Sequence, residues 1–460
     1  MSTSGLKTKH PRGHRKKEKA GPFPEKSVLT EVHIEKLVPG GNGLARVGAQ
    51  VVFVKGGLPG EQLHVQIGEK RRGVHYGDIR QVLEPSHERV NPPCSIYGQC
   101  GGCQFQHVSY QGQLDQKKAI LTDALQRIGK IELPEIAAVV PSPHPFGYRS
   151  TIRFVVFKGE KNFQLGFYQA ETRNAVEAKA CLLISESMQQ LVAKVAERLA
   201  SQATVPMYLE HVEFRSSTTS KDVLIVFHGS YKKPERVKEF LEPFQKLSGV
   251  VGCIAERSGP KTGRAPSPAL VAGQDFVTEK FDALTVQIGH RSFTQTNWPV
   301  YESIGHQLRD WIGELQGVRV LELYAGTGLL GMTLARNGAF VTLVESNAFA
   351  LADARTSVAL SHVARCRFKR QGGESFLPAV KLNEFDVVLV DPPRTGLTPQ
   401  VTKELGRIKA PRVFYISCDV ATLARDLSRL GTFGYRVVRI QPFDMFPQTA
   451  HIETLVELGI

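Results

Sequence analysis

Apolar and polar residues alternate in two different ways along the chain, and the change separates two kinds of structure. Between about residues 24 and 88, short β-branched runs alternate with polar positions and are separated by Gly-Gly, Asn-Gly and Pro-Gly turns. This pattern is typical of a small antiparallel barrel. From residue 318 to the C-terminus, apolar runs of strand length alternate with helical patterns. The second pattern predicts an α/β domain.

The C-terminal pattern predicts a sheet of seven strands. We place them at residues 318–324, 340–345, 366–371, 385–390, 412–417, 435–440 and 453–458. The connection between the last two strands, DMFPQTAH, is too short for a parallel crossover. The sequence therefore predicts five parallel strands and an antiparallel hairpin at the end.

The remaining patterns divide the chain into a tail and three domains. Residues 1–21 are rich in Lys, Arg, His and Gly and have almost nothing to bury, so we expect a disordered basic tail. The barrel domain is predicted at residues 22–90, a central α/β domain at 91–285 and the C-terminal domain at 286–460. A helical stretch at about residues 109–129 is a candidate to pack on the C-terminal domain.

The composition adds an electrostatic expectation. The 460 residues include 58 Lys and Arg against 44 Asp and Glu, a net charge of +14 that favours a polyanionic partner such as nucleic acid. The sequence has no apolar run of about 20 residues and no secretion signal. We therefore expect a cytoplasmic protein without a membrane partner, acting as a monomer. An odd count of seven cysteines favours metal ligands or catalytic thiols over a disulfide framework.

A glycine-rich turn follows the first strand of the C-terminal domain, in VRVLELYAGTGLLGMTLA. Gly326 and Gly328 permit close approach of a ligand, and the following helix offers unpaired N–H groups. Glu345 ends the second strand, where a carboxylate can accept both ribose hydroxyls. An oxidoreductase or a purely structural sheet would share these features. The antiparallel end of the sheet resembles instead the fold of S-adenosylmethionine-dependent methyltransferases, and is Rossmann-like.

One thiol stands at the end of a predicted strand. Cys418 follows the fifth strand and Asp391 follows the fourth, so both side chains are expected at the carboxyl edge of the sheet. A helix that begins near Val420 is expected to favour the thiolate. A buried core cysteine is the alternative. Methyl transfer to carbon 5 of a pyrimidine requires such a thiol, which adds to carbon 6, and a base that removes the carbon 5 proton. Glu453 is the candidate base, with an ordinary strand-end glutamate as the alternative.

Three segments carry a resemblance to a known family. DPPRTGL, YISCDVATLARDL and DMFPQTAHIETLVEL resemble the RNA uracil-5-methyltransferase family, whose members make 5-methyluridine in ribosomal or transfer RNA. The resemblance implies that Cys418 is the nucleophile and Glu453 the base. It also implies contacts with the cofactor and the pyrimidine by Gln295, Tyr324, Glu345 and Asp391.

Four further cysteines form a candidate metal centre. Cys94, Cys100 and Cys103 lie in CSIYGQCGGC, and Cys181 follows in AKACLLI. A structural zinc site is the default for four cysteines. The spacing is similar, however, to the pattern by which many members of this family bind a four-iron, four-sulfur (4Fe–4S) cluster. We predict the cluster, with a role in folding or RNA positioning, and read Cys253 and Cys366 as core residues.

RNA contacts are expected from three places. The barrel resembles the TRAM domain, an RNA-binding module of the OB type, and one hairpin offers basic and aromatic side chains: Lys70, Arg71, Arg72, His75 and Tyr76. An ordinary solvated hairpin is the alternative. Tyr148 and Arg149 match a pair near the RNA in relatives. Phe293 is a candidate stacking wedge beside a flipped uridine, with a core phenylalanine as the alternative.

These observations predict an S-adenosylmethionine-dependent RNA methyltransferase that converts a uridine to 5-methyluridine. By analogy, the barrel and the cysteine quartet favour ribosomal RNA over transfer RNA. Methylation of cytosine in RNA is an alternative, against which DPPRTGL and the glutamate base argue. A catalytically inert RNA-binding or chaperone-like protein is the alternative from another class.

Overall fold

The computed structural model describes residues 28–71, 73–159, 162–178, 180–202, 204–257 and 269–460. The predicted tail at residues 1–21 lies outside this part of the chain. Contacts divide the chain into two compact units. One contains Met1–Lys36 and Asn42–Ser86, and the other contains Leu37–Gly41 and His87–Ile460.

The first unit is a closed five-stranded barrel. Its strands are β1 Val28–Leu37, β2 Asn42–Val47, β3 Gln50–Lys55, β4 Gln62–Arg71 and β5 Val74–Glu84. The order around the barrel is β1-β2-β3-β5-β4, with β3 and β5 parallel. Alternate residues point inward, and the buried members of the core are Val32, Ile34, Ala45, Val52, Val54, Leu63, Val65 and Ile67. The barrel predicted from the alternating pattern is confirmed, but it is not wholly antiparallel, because β3 and β5 pair in parallel.

The second unit begins with a helix and a mixed sheet. Helix α1 spans Tyr110–Ala124 and continues into a π-helical turn at Leu125–Gly129. The sheet has the order β12-β11-β10-β9-β6-β7-β8. Its strands are β6 Thr151–Lys158, β7 Phe163–Tyr168, β8 Ala175–Glu177, β9 Tyr208–Ser216, β10 Val223–Ser230, β11 Val250–Arg257 and β12 Leu270–Gly273. Helices α2 Glu186–Ala200 and α3 Pro234–Gln245 bury their apolar sides in the same core cluster as this sheet.

A short hairpin connects this sheet with the C-terminal sheet. Strands β13 Phe276–Phe281 and β14 Leu284–Gly289 pair antiparallel. Their buried residues, among them Phe281 and Leu284, belong to the core of the C-terminal sheet. The predicted boundary at residues 285 and 286 therefore falls inside β14, and the three-domain division stays a prediction.

The C-terminal sheet contains the seven strands that the sequence predicts. They are β15 Arg319–Leu323, β16 Phe340–Val344, β17 Cys366–Lys369, β18 Val387–Val390, β19 Arg412–Ser417, β20 Arg436–Phe443 and β21 Glu453–Gly459. The order is β17-β16-β15-β18-β19-β21-β20. The first five strands are parallel, and β21 runs antiparallel to both β19 and β20. The helices of this region are α4 Trp298–Ile312, α5 Leu329–Arg336, α6 Ala348–Leu360, α7 Gly373–Phe376, α8 Pro399–Ile408 and α9 Val420–Gly431.

The central strands of this sheet are buried on both faces. All four residues of β18 and the apolar residues of β19 are buried, as expected for parallel strands covered by helices. Because parallel strands end at one edge, the residues that follow β15, β18 and β19 meet there. The predicted Rossmann-like sheet of seven strands is confirmed, and it brings several of the predicted site residues to one place.

Candidate active site

A cavity of about 470 Å³ opens at the carboxyl ends of β15, β18 and β19. This volume lies within the range of roughly 300–1,000 Å³ that is typical of small-molecule sites. Most of the predicted site residues line it: Arg149, Phe293, Gln295, Tyr324, Gly326, Asp391, Cys418 and Glu453. Gly328 and Glu345 are not among the lining residues. The fold therefore joins residues that are up to three hundred positions apart in the sequence.

Two glycines of the turn after β15, Gly326 and Gly328, have different surroundings. Tyr324, Gly326 and Gly328 all have positive φ angles, of 59°, 55° and 72°. A Cβ atom placed on Gly326 would meet no atom within 4 Å, whereas one on Gly328 would lie 2.8 Å from Leu343 Cδ1. Gly326 therefore leaves open space beside the cavity, and Gly328 permits helix α5 to pack on β16.

Glu345 holds the glycine turn from the neighbouring strand end. Its Oε2 accepts a hydrogen bond of 2.9 Å from the Gly326 N–H, and its Oε1 accepts one of 2.7 Å from the Asn347 N–H. The contact with ribose hydroxyls stays a prediction, and it depends on the remaining lone pairs of this carboxylate. Glu322, within β15, supports the same turn by accepting a 2.9 Å hydrogen bond from the Gly331 N–H. Burial raises the pKa of Glu322 to about 8.

Cys418 lies directly after β19 and lines the cavity. Burial raises the pKa of its thiol to about 12, and the nearby Glu453 carboxylate adds to this effect. Burial thus opposes the expectation that the following helix favours the thiolate. Asp419 also caps this helix, since its Oδ1 accepts hydrogen bonds from the N–H groups of Ala421 and Thr422 at 3.1 and 2.8 Å. The first free donors of α9 are thus used within the helix.

Two carboxyl groups face the thiol. Glu453 is 1% exposed, and its Oε2 has no hydrogen-bond partner within the described part of the chain. Burial and the negative charge of Asp391 raise the pKa of Glu453 well above its ordinary range. Burial also raises the pKa of Asp391 to about 7. A carboxyl group with a raised pKa is a stronger base near neutral pH than an ordinary glutamate.

The sequence analysis did not identify Arg394 as a residue of this site. Arg394 lines the cavity with Cys418 and Glu453, and its Nη2 donates to His451 Nε2 at 3.3 Å. Burial, with the positive charge of Arg394, lowers the pKa of His451 to about 4, so the imidazole is neutral at physiological pH. Arg394 is the arginine of the DPPRTGL motif, in which the sequence analysis assigned a function to Asp391 alone. Other lining residues that were missed are Thr294, Thr296, Tyr301, Ala325, Thr327, Leu329, Pro392, Pro393 and Phe446.

The proposed RNA contacts have different outcomes. Phe293 is 69% exposed and lines the cavity, so the alternative of a core phenylalanine is excluded. On the barrel hairpin Lys70 is exposed, but His75 is buried beside the Gly68 carbonyl and is not available to a ligand. Arg72 and the side chain of Arg71 lie outside the described residues.

The loop before Glu453 is anchored by helix α1. Lys117 and Asp444 form an ion pair in which both side chains are fully buried, and Lys117 Nζ also donates to the Phe446 carbonyl at 3.1 Å. Gln113 and Gln448 exchange two hydrogen bonds, of 3.0 and 2.9 Å. Helix α1 therefore packs on the C-terminal region, as the sequence indicated, and fixes the segment that leads to the candidate base.

Cys94, Cys100, Cys103 and Cys181 line one cavity of about 260 Å³. Burial raises the pKa of the Cys100, Cys103 and Cys181 thiols, and neighbouring cysteines contribute to each rise. The Gly102 N–H donates to Cys100 Sγ at 3.4 Å. Among the described residues, no group of three or more His, Cys, Asp or Glu side chains is arranged to hold a metal ion. The four thiols share one cavity, and the 4Fe–4S cluster stays a prediction.

Comparison with known proteins identifies the family. The model of the tRNA (uracil-5-)-methyltransferase family matches residues 109–459, and the TRAM domain model matches residues 29–79. The chain belongs to the tRNA (uracil-5-)-methyltransferase family. The prediction of an S-adenosylmethionine-dependent RNA uracil-5-methyltransferase with an N-terminal TRAM domain is thereby confirmed at the level of the family.

Sequence relatives match this chain over nearly its whole length. Uncharacterized RNA methyltransferases of Thermotoga maritima and Halalkalibacterium halodurans are 32% and 30% identical, over 94% and 95% of this chain and 99% and 98% of their own. The crystal structure of Pyrococcus abyssi tRNA (uracil-54, C5)-methyltransferase with S-adenosyl-L-homocysteine has a TM-score of 0.72 at 24% identity. It covers 93% of this chain and 100% of that one, which shows a common fold. Within the described residues of this chain, no helix is long and apolar enough to cross a membrane.

Proposed function

We propose that this protein transfers the methyl group of S-adenosylmethionine to carbon 5 of a uridine in RNA through a covalent adduct between Cys418 Sγ and carbon 6. The observation that carries the proposal is the single cavity that Cys418, Glu453 and Asp391 share with the open glycine turn at Gly326. A thiol, a base and a cofactor cradle are the parts that this reaction needs, and each comes from a different strand end.

The chemistry assigns one role to each group. Cys418 Sγ forms a bond to carbon 6, and the electron pair of the carbon 5–carbon 6 double bond moves onto the pyrimidine carbonyl as an enolate. Carbon 5 then accepts the methyl group that the sulfonium cofactor supplies. Glu453 takes the proton from carbon 5, and the thiolate leaves carbon 6 as the double bond forms again.

The neighbouring residues fit supporting roles. Arg394 is the positive charge that opposes Asp391 and Glu453 in setting the pKa of the Cys418 thiol. Asp391 and Gln295 line the cavity and can hydrogen-bond the pyrimidine edge or the cofactor. Tyr324 and Gly326 border the cofactor end, with Glu345 behind them. Phe293 and Arg149, at the mouth and on the wall of the cavity, are the proposed contacts with RNA.

The decisive experiment combines methyl transfer with covalent trapping. Wild-type protein is incubated with labelled S-adenosylmethionine and RNA from cells that lack the gene, and in a second reaction with S-adenosylmethionine and 5-fluorouridine RNA, in which fluorine replaces the carbon 5 proton and cannot be removed by the base. We expect 5-methyluridine in the first reaction and a denaturation-resistant complex in the second. Cys418→Ala is expected to abolish both, whereas Cys366→Ser, at a half-buried cysteine away from the cavity, is the control. Methyl label on cytosine, or none at all, would refute the proposal in favour of the cytosine-modifying or the inert RNA-binding alternative.

Ribosomal RNA is the proposed substrate class, on the resemblance that the barrel and the cysteine quartet provide. Transfer RNA is the second candidate, and the full-length match to the Pyrococcus abyssi enzyme favours it. Mapping 5-methyluridine in both RNA classes, with and without the gene, decides between them. The residues that line the active-site cavity all come from the second unit, and we propose a monomer that acts on RNA in the cytoplasm.

The cysteine quartet is proposed to hold a 4Fe–4S cluster. Cys94, Cys100, Cys103 and Cys181 would be its ligands, and its role would be to fix the fold or to position RNA, since Cys418 and Glu453 already account for the reaction. Anaerobically purified protein is expected to contain iron and sulfide, and Cys100→Ser to lose both while Cys366→Ser retains them. A Cys100→Ser protein without iron but with full activity and solubility would count against either role.

A further inference from the structure

A second cavity of about 530 Å³ adjoins the proposed active site. Three cationic residues line it, Arg149, Lys194 and Lys221, together with seven serine or threonine residues. Within the described chain, no aspartate or glutamate is among its lining residues. This composition is suited to an anion, because hydroxyls and cations both donate hydrogen bonds to phosphate oxygens.

The two lysines of this cavity are available to a ligand. Lys194 lies on α2 and Lys221 lies in the turn between β9 and β10, and both are exposed. Neither forms an ion pair or a side-chain hydrogen bond with the described part of the chain. The buried Glu279 carboxylate, behind Thr218, accepts hydrogen bonds from the Thr218 hydroxyl at 2.9 Å and from the Lys280 N–H at 2.8 Å. The negative charge of Glu279 is therefore already stabilised by hydrogen bonds from the protein.

A thin wall separates this cavity from the active site. Arg149 lines both cavities, and the Ser150 N–H donates to the Thr296 carbonyl at 2.9 Å. Thr296 faces the active-site cavity, whereas its neighbour Asn297 lines the second one. An RNA strand with one base in the active site can therefore place the backbone of an adjacent nucleotide against the second cavity.

Asn297 supplies an independent indication of a ligand. It occupies the N-cap position of α4 without capping the helix, because its Nδ2 donates to Ser142 Oγ at 3.1 Å and to the Met445 carbonyl at 3.2 Å. Its Oδ1 is buried and has no partner within the described residues. A buried acceptor left without a donor is costly, and a ligand hydroxyl at this position would satisfy it.

We propose that this second cavity is a ribose–phosphate subsite for a nucleotide adjacent to the target uridine on the same RNA strand. Arg149, Lys194 and Lys221 bind its phosphates, and Asn297 accepts a hydrogen bond from a 2′-hydroxyl. The 2′-hydroxyl is the group that distinguishes RNA from DNA, so the subsite adds a preference for RNA as well as affinity. The inference rests on the proposed function, because it needs an RNA strand in the active site.

The test compares two charge reversals of equal size. Lys194→Glu/Lys221→Glu alters the cavity, and Lys238→Glu/Lys246→Glu alters two exposed lysines at α3 that do not line it. Binding of oligouridine RNA is measured over a range of salt concentrations. We expect the cavity variant to bind about tenfold or more weakly, with a log–log salt slope smaller by about 0.7 for each lost phosphate contact. The control variant is expected to retain the wild-type slope.

Two further measurements separate the inference from the proposed function. At saturating RNA, the cavity variant is expected to keep the wild-type turnover, with the loss confined to KM. Wild-type protein is expected to bind oligouridine RNA more tightly than oligodeoxyuridine. Equal slopes for the two double variants would overturn the phosphate assignment, and equal affinity for RNA and DNA would overturn the ribose assignment. A wild-type protein that bound RNA in this way but transferred no methyl group would refute the proposed function alone.

Discussion

The proposed nucleophile, Cys418, lies among groups that oppose the ionisation of its thiol. Burial and the carboxyl groups of Glu453 and Asp391 raise the pKa of the thiol, and Arg394 acts in the opposite direction. Because the thiolate is the reactive form of a cysteine, the raised pKa predicts low reactivity of Cys418 in the free protein.

The first prediction concerns the reactivity of Cys418 in the free protein. Because the pKa of the thiol is raised to about 12, the thiolate fraction is small at pH 7 and rises about tenfold per pH unit up to pH 10. The rate of alkylation by iodoacetamide, measured by mass spectrometry of the Cys418 peptide, is expected to follow this rise without a plateau. The same peptide in unfolded protein is expected to level off near its ordinary pKa of about 8.5. A plateau at or below pH 8 in folded protein would contradict the assignment.

The second prediction concerns Glu453→Gln. Removing the base leaves adduct formation and methyl transfer intact but blocks loss of the carbon 5 proton, so the covalent complex accumulates. We expect turnover to fall by about 10²- to 10⁴-fold, the usual contribution of a positioned base. Ordinary uridine RNA with S-adenosylmethionine is expected to give a denaturation-resistant complex, detected on a denaturing gel. Glu453→Asp retains a carboxylate and is the matched control, which should recover part of the turnover and accumulate less complex.

Among the elements, helix α1 holds the segment that leads to the candidate base Glu453. It contributes Lys117 and Gln113 to the segment between β20 and β21, which the sequence places more than three hundred residues away. Burial lowers the pKa of Lys117, and the negative charge of Asp444 and its hydrogen bond oppose that shift. The Tyr110 hydroxyl, near Asp444, belongs to the same cluster. The helix is therefore part of the active-site support and not only of the central region.

The third prediction tests this support. Lys117→Met leaves the Asp444 carboxylate buried without its cation, and the loss of one member of a buried pair typically costs about 3–5 kcal/mol. We expect the free energy of unfolding of the second unit to fall by that amount, measured by chemical denaturation. The double variant Lys117→Met/Asp444→Leu removes both charges and is expected to recover much of the loss. Lys118→Met, at the adjacent lysine without an ion pair within the described chain, is the control, and an equal loss there would contradict the role of the pair.

For the molecule as a whole, the notable feature is the division into two units with separate cores. The barrel core is closed on itself within residues 28–86, and the second unit carries the active site, the cysteine cavity and the second cavity. In the second unit all three cavities share Arg149. A chain with two cores is not expected to unfold in a single two-state transition.

The fourth prediction addresses the independence of the two cores. Ile34 is fully buried in the barrel, and replacing it with Ala is expected to lower the stability of the barrel by about 2–5 kcal/mol. Hydrogen exchange should become faster in peptides from residues 28–86 and stay unchanged in peptides from β15 to β21. Leu29→Ala, at an exposed position of β1, is the matched control. Faster exchange throughout the chain would show that the two cores unfold together.

Sequence patterns predicted the architecture well because the relevant signals are local. The seven strands of the C-terminal sheet were placed within a few residues, since each is a short apolar run between helical or turn signals. The hairpin at the end followed from the length of one connection. The boundary at residue 285 was drawn inside β14, because the side on which a short hairpin packs depends on tertiary contacts that no local pattern records.

The site was predicted in part, and the omissions share a cause. Cys418, Glu453 and Asp391 stand at strand ends and in motifs, so topology alone brings them together. Arg394 and His451 lie in the same motifs, but their mutual hydrogen bond is visible only in three dimensions. The expectation of a thiolate at Cys418 took account of the helix N-terminus but not of burial, which raises the pKa of the thiol and depends on the tertiary structure.

The sequence by itself determined the order of elements and the family, and it predicted the thiol and the base, because these depend on short-range periodicity and on contiguous motifs. Only the tertiary structure decided how the residues interact. It joined Lys117 to Asp444, gave Gly326 and Gly328 different surroundings, and placed three cations around a cavity that no acid of the described chain lines. The physical reason is that burial and electrostatic interactions depend on distance in space, and positions far apart in the chain carry no local signal of that distance.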